Sequence, residues 1–338
     1  MLTHSTFPDD WAITQNNLGI AYRNRILGDK ADNIENAIAA FTSVLEVLTR
    51  TAFPELWGQG HNNLGNAYFD RILGDRAENL ENAIAAYTAA LEIHTRSAFP
   101  VDWANIQSNL GNAYSEKILG DRAENLENAI AAYTAALEIY TRSAFPELWA
   151  RTQINLGNAY RNTILGDNAE NIENAITAYT AALEIYTRST FPQQWATTQN
   201  NLGGAYANRI LGDKAENFEN AIAAYTAALE VYTCKAFPVD WARTQNNLGL
   251  AYCERIRGER PENLKKAIAA CSAALEIRTF DAFPQEYAKT LWILGNAYQY
   301  ANQFDLAYSN FKSAIDTIES LREEILSGEE SKRKQAEE

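Results

Sequence analysis

Along this chain of 338 residues the apolar positions keep a three-and-four spacing, the mark of helices with one buried face, and the pattern restarts twice in every 46 residues. In residues 53–98, Trp57, Leu64, Gly65, Ala67, Tyr68 and Ile72 share one side of a first helix. Leu80, Ala83, Ile84, Tyr87, Leu91 and His94 share one side of a second. Pro54 suits the first turn of a helix, where its missing N–H leaves no bond unmade, and Glu55 suits the positive end of the dipole. Gly74 is the expected stop of the first helix. Asp75 and Glu78, three residues apart, form a variant of the capping box that opens the second. In the sixth copy Pro261 stands in this loop, a place that fits only a first helical turn.

The unit is repeated. Phe-Pro pairs begin at Phe7, Phe53, Phe99, Phe145, Phe191, Phe237 and Phe283, and each is followed by an L-G-x-A-Y block. A period of this length predicts a solenoid, because one helical hairpin cannot bury its own apolar stripe but each can bury its neighbour's. A glycine in a helix interior costs about 1 kcal/mol against alanine, so the series Gly19, Gly65, Gly111, Gly157, Gly203, Gly249, Gly295 needs a reason. Close approach of the second helix through Ala83, Ala85, Ala86 and their equivalents is the expected one. The tryptophans from Trp11 to Trp241, with Tyr287 in the seventh copy, are expected to pack between repeats.

The order L-G-x-A-Y, then alanine, then an aromatic four residues on, resembles the tetratricopeptide repeat. It is clearest at Leu294-Gly295-Asn296-Ala297-Tyr298, Ala307, Phe311 and Ala314. In the first six copies six extra residues of the type Arg25-Ile26-Leu27-Gly28-Asp29 lengthen the loop. The long form is similar to the extended repeats of kinesin light chain, and of bacterial proteins in which such arrays precede CHAT protease-like or NB-ARC nucleotide-binding domains. The resemblance implies an all-α, right-handed tetratricopeptide superhelix, one solenoid of seven helix-turn-helix repeats over residues 1–326. Residues 327–338 are a mixed-charge tail expected to be disordered, and the seventh second helix is expected to act as a cap with one wet face. Residues 1–7 align with the end of a second helix, so the chain is expected to begin inside a repeat, cut from a longer array or starting abruptly.

A net charge of −14 argues against a nucleic-acid or anionic-membrane partner. No apolar stretch is long enough to span a bilayer and no secretory signal opens the chain, so a cytoplasmic location is expected. Cys234, Cys253 and Cys271 read as free thiols. His4, His61 and His94 occupy three different repeat positions, and no nucleophile, phosphate loop or cofactor motif recurs, so neither catalytic residue nor cofactor nor metal is assigned. The acidic pairs Asp29/Asp32, Asp75/Glu78, Asp121/Glu124, Asp167/Glu170 and Asp213/Glu216 offer too few oxygens for calcium, and helix capping accounts for them.

On the first helix the apolar arc is Trp11, Leu18, Gly19, Ala21, Tyr22 and Ile26; Ile13, Asn16, Asn17, Ile20, Arg23 and Asn24 lie opposite. In the family this opposite face lines the concave groove. One of its positions is Asn17, Asn63, Asn109, Asn155, Asn201 and Asn247; its neighbour gives Asn16, Asn62, Asn200 and Asn246; a third gives Asn66, Asn112, Asn158 and Asn296. An amide donates and accepts at once, which suits the backbone of an extended peptide, and the resemblance implies such a clamp. The Asn17 series has two readings, peptide clamp or tie between repeats. Specificity is expected from positions that vary: Arg23, Phe69, Ser115, Arg161, Ala207, Cys253, Gln299, and Ile13, Gln59, Asn105, Arg151, Thr197, Arg243, Lys289. The function so read is a non-catalytic scaffold that binds a protein or peptide segment, or the sensor part of a larger protein. The alternative is a self-assembling array that stacks end to end or dimerises.

Overall fold

The structure, a computed structural model, describes residues 7–163 and 165–337, with side chains through 327. Its fourteen helices, with no strand among the described residues, form seven hairpins. These are α1 (Pro8–Asn24) with α2 (Lys30–Val47), α3 (Pro54–Asp70) with α4 (Arg76–Leu91), α5 (Pro100–Glu116) with α6 (Arg122–Leu137), and α7 (Pro146–Asn162) with α8 (Asn168–Ala182). Then follow α9 (Pro192–Ala207) with α10 (Lys214–Leu229), α11 (Pro238–Glu254) with α12 (Arg260–Leu275), and α13 (Pro284–Tyr300) with α14 (Phe304–Glu337). They group into two compact units divided between Ile185 and Tyr186. Within each unit a hairpin touches only its neighbours along the chain.

Local chemistry sets the helix ends. Each odd-numbered helix opens on a proline that follows a Phe. The even-numbered helices from α2 to α12 open on carboxylates: Asp75 accepts from Ala77 N at 2.6 Å and Glu78 N at 3.3 Å, and Asp29 and Asp213 accept from the N–H three residues on. The sixth copy has Glu259 at this place with no such bond, and Pro261 stands in the first turn as its sequence position requires.

The loop between the two helices corrects the expectation. Helix α3 stops at Asp70, so Ile72 leaves the apolar stripe and is 60% exposed. Ile26, past the end of α1, is 96% exposed. Gly74 lies beyond the helix with φ +78°, the left-handed conformation that lets the chain turn into Asp75. The loop is held from inside by a buried asparagine whose role the sequence left unread: Asn79 Nδ2 donates to Leu73 O at 2.9 Å, and Asn33, Asn125, Asn171, Asn217 and Asn263 repeat the bond. In the last hairpin, which lacks the six extra residues, Asn302 turns the chain with φ 57°.

In six of the seven hairpins the helical glycine is covered by an aromatic ring, not by the alanines expected. A Cβ on Gly65 would stand 2.7 Å from the Tyr87 ring, and Gly111, Gly157 and Gly203 face Tyr133, Tyr179 and Tyr225 the same way; Phe41 and Phe311 cover Gly19 and Gly295. Ala83 and Ala86 are buried beside that ring, whereas Ala85 is exposed. In the sixth hairpin Cys271 replaces the aromatic, and Cys253, placed above among the exposed groove positions, sinks into the core with it. Between hairpins, Ala83, Ile84, Tyr87 and Ala90 of α4 pack against Ile106, Leu110 and Ala113 of α5. The tryptophans join these junctions half-buried: Trp103 and Trp149 share one cluster with Tyr140.

Helix α14 is longer than the other even-numbered helices. Its backbone runs as helix through Glu337. Phe304, Tyr308, Ile315 and Ile318, at positions that helix α4 buries or half-buries, are exposed. Among the described residues no helix is long and apolar enough to cross a membrane.

Candidate functional site

The odd-numbered helices of successive hairpins lie side by side in the first unit, α1 by α3, α3 by α5 and α5 by α7, which brings the asparagine series onto one surface. The ladder residues bond backwards to the preceding hairpin. Asn63 Nδ2 donates to Asn16 Oδ1 at 2.8 Å, Asn109 to Asn66 Oδ1 at 3.1 Å, and Asn155 to Asn112 Oδ1 at 3.0 Å. In the second unit Asn247 donates to Asn200 Oδ1 at 3.3 Å.

The third asparagine series is held from below as well. The hydroxyls of Tyr87, Tyr133 and Tyr179 donate to Asn66, Asn112 and Asn158 Oδ1 at 2.9, 2.8 and 2.7 Å. Burial pushes all three hydroxyls up, that of Tyr179 to about 12, so they stay protonated donors at any ordinary pH. The consequence is a fixed amide orientation. Asn66 and Asn112 each accept twice, which turns their NH2 groups away from the bonds, while Asn109 and Asn155, committed as donors, keep their oxygens free. Sequence reasoning placed these residues on one face but had no means to see which half of each amide was already used.

Hollows lie along this face of the first unit. One of about 350 Å³ is lined by Phe69, Asn112, Ser115, Asn155 and Asn158. A second, of about 230 Å³, is lined by Asn62, Asn66, His94, Asp102 and Asn109. A smaller one of about 110 Å³ includes Ile13, Asn16 and Asn17.

The arginines divide. Arg23 pairs with Asp70 of the next hairpin at 2.7 Å, and Arg243 with Asp240 of its own helix at 2.6 Å, so neither presents an unbalanced charge. Arg151 is exposed and Arg161 half-buried. Asn201 is half-buried on α9. No cluster of three or more His, Cys, Asp or Glu side chains able to hold a metal ion is found among the described residues.

No family model and no curated protein sequence matches the chain. Its structure does find matches. A Signal Transduction ATPase with Numerous Domains (STAND) protein with a tetratricopeptide repeat sensor, from Pyrococcus horikoshii, superposes with TM-score 0.66 at 16% identity, over 95% of this chain and 44% of that one. BtubC from P. vanneervenii gives TM-score 0.54 at 22% identity, over 72% of this chain and 92% of that one. The apo form of the quorum sensor NprR from B. thuringiensis gives 0.53 at 14%, over 94% and 89%. Helix pairs, repeat by repeat, and these superpositions agree: by fold the chain is a tetratricopeptide-repeat array.

Proposed function

We propose that the chain is a non-catalytic interaction scaffold whose odd-helix face captures an extended polypeptide segment. The observation that carries this reading is the oriented amide row: free NH2 groups on Asn66 and Asn112 alternate with free oxygens on Asn109 and Asn155, beside open hollows. An extended backbone offers the same alternation of donor and acceptor. The half of each amide that joins hairpins also removes its freedom to rotate, so little side-chain entropy is lost when a segment binds. The two readings of the ladder thereby become one. Asn16, Asn17, Asn62, Asn63, Asn158, Asn201 and Asn247 extend the row, and Arg151 and Arg161 stand beside it as groups for reading the segment's charge.

The test separates the two halves of an amide. Asn112→Asp keeps the oxygen that accepts from Tyr133 and Asn155 and replaces the outward NH2. Short random peptides selected on the wild-type chain are expected to bind this variant roughly tenfold more weakly, the loss of about one hydrogen bond, with the melting temperature little changed. Peptides that bind both proteins equally would remove the clamp. A second reading, self-assembly, is favoured by the exposed apolar stripe on α14.

A further inference from the structure

Three departures from the repeat pattern meet at the hollow of about 230 Å³ between the second and third hairpins. Six hairpins carry alanine after the tryptophan or tyrosine of the odd helix, as at Ala104 and Ala196; the second carries Gly58. The third, fourth and fifth hairpins end in Tyr140, Tyr186 and Tyr232, and the second in His94. A Cβ on Gly58 would stand 2.5 Å from His94 Nδ1, so the glycine makes room for the imidazole. The third departure is Ile106. In later hairpins this place is threonine, and Thr244 and Thr290 donate to Asn200 and Asn246 Oδ1 at 3.2 and 2.9 Å.

Ile106 has no hydroxyl to give, and Asn109, the other donor within reach, is committed to Asn66. Asn62 Oδ1, the counterpart of those two acceptors, is therefore buried with no partner. His94 Nδ1 is likewise buried without a partner, in a side chain only 1% exposed. Buried polar atoms are nearly always paired, and here two unpaired ones belong to residues that line the same hollow, the Asn62 oxygen and an imidazole nitrogen that faces Gly58. The unused groups around it are weighted toward acceptors: Asn62 Oδ1, the free oxygen of Asn109, and the Asp102 carboxylate. Arg151, which with Asp102 acts on the nearby Tyr140 hydroxyl, is the opposing charge in the neighbourhood and does not line the hollow. Its volume falls below the roughly 300–1,000 Å³ of sites that hold whole small molecules and suits one side chain.

We infer that this hollow is a subsite for one basic side chain, a guanidinium or ammonium, of the captured segment. A cation with several N–H donors satisfies the unpaired Asn62 oxygen, the free Asn109 oxygen and the Asp102 carboxylate together, beside the His94 ring. The inference rests on the reading of the odd-helix face as a polypeptide-binding surface and adds the charge class of one ligand residue.

The chain has three histidines, so His94 gives a readily assigned ring signal in NMR. N-acetyl-arginine amide is expected to shift that signal saturably and to leave His61, which meets the Trp57 ring edge to face, unmoved. Its neutral near-isostere N-acetyl-citrulline amide is expected to move neither. Asp102→Asn should weaken the response roughly tenfold, as loss of a charge-assisted contact does. His94→Tyr places there the ring used by the three hairpins that follow, and is expected to abolish saturation transfer to the arginine probe, with thermal melts of both variants reporting that they fold. A His94 signal unmoved by the arginine probe, or moved equally by citrulline, would overturn the subsite. The probe carries no extended backbone, so that failure leaves peptide capture standing, whereas failure of the Asn112→Asp test with an intact His94 response removes the clamp alone.

Discussion

At the level of single residues, the helical glycines show packing overriding intrinsic preference. Alanine is favoured over glycine by about 1 kcal/mol in a helix interior, yet Gly111 lies where an added Cβ would come within 2.6 Å of the Tyr133 ring. Tyr133 cannot retreat freely, because its hydroxyl is bonded to Asn112 and its ring is buried. Overpacking of this kind costs typically 1–3 kcal/mol, which outweighs the helix gain. Gly111→Ala is therefore expected to lower stability by about 1–2 kcal/mol in urea denaturation, and a stabilised variant would show that the ring is not held. The sequence showed that these glycines needed a close neighbour but not which one. Alanine and tyrosine recur together in the same block, and only the geometry tells that the ring, not the methyl groups, fills the space.

At the scale of elements, the hairpins were legible because proline, acidic caps and three-and-four spacing all point to the same helices. The loops were not. Ile72 continues the apolar spacing of α3 in sequence but follows its last residue, Asp70. The stop is set by contacts that no local pattern reveals: the Asn79 side chain inside the loop, and Arg71, which reaches back to Glu35 of the preceding hairpin at 2.7 and 2.9 Å. The same fork recurs between Arg255 and Glu219 at 2.7 Å for both bonds. Hydrogen bonding to Arg255 holds the Glu219 carboxyl below its ordinary value, and a depressed carboxyl stabilises the fold only while ionised. Its contribution is thus full above the unfolded carboxyl's range near pH 4.3 and is lost as pH falls through the lower folded value. Both partners are partly exposed, so the effect is discounted to about 1 kcal/mol or less. The stability difference between the wild type and Glu219→Gln is expected at pH 7 and to fade as the pH drops below about 4; a difference that persists in acid would mean the carboxylate's charge is not what stabilises the loop. The candidate face was legible in the same partial way. Asn109 and Asn155 were visible as a series, and so were the odd residues Gly58 and His94, whose joint departure from alanine and tyrosine is a signal the repeat alignment already held.

On the scale of the whole molecule, one kind of hairpin junction recurs within each unit, and helix α14 carries the residues of such a junction in exposed positions. Tyr308 is 68% exposed where its counterpart Ile84 is 8% exposed. Phe304, Ile315 and Ile318 continue the stripe at three-, four- and seven-residue steps. Full burial of four such side chains is worth on the order of 6–12 kcal/mol, of which roughly half is still available because each is about half exposed. Association itself costs an estimated 4–15 kcal/mol, so any self-contact through this stripe is weak, with dissociation constants in the micromolar range or above. That places the decisive observation within reach of light scattering. The wild-type chain is expected to gain mass as its concentration rises through the micromolar range, and Tyr308→Glu with Ile315→Glu, which sets two charges on the stripe, to remain a monomer throughout. Peptide capture lies on the odd helices and is expected to survive the double substitution, so the two readings of the chain are separable in one protein. A wild type that stays monomeric at every concentration would remove self-assembly and leave the α14 stripe to a different partner.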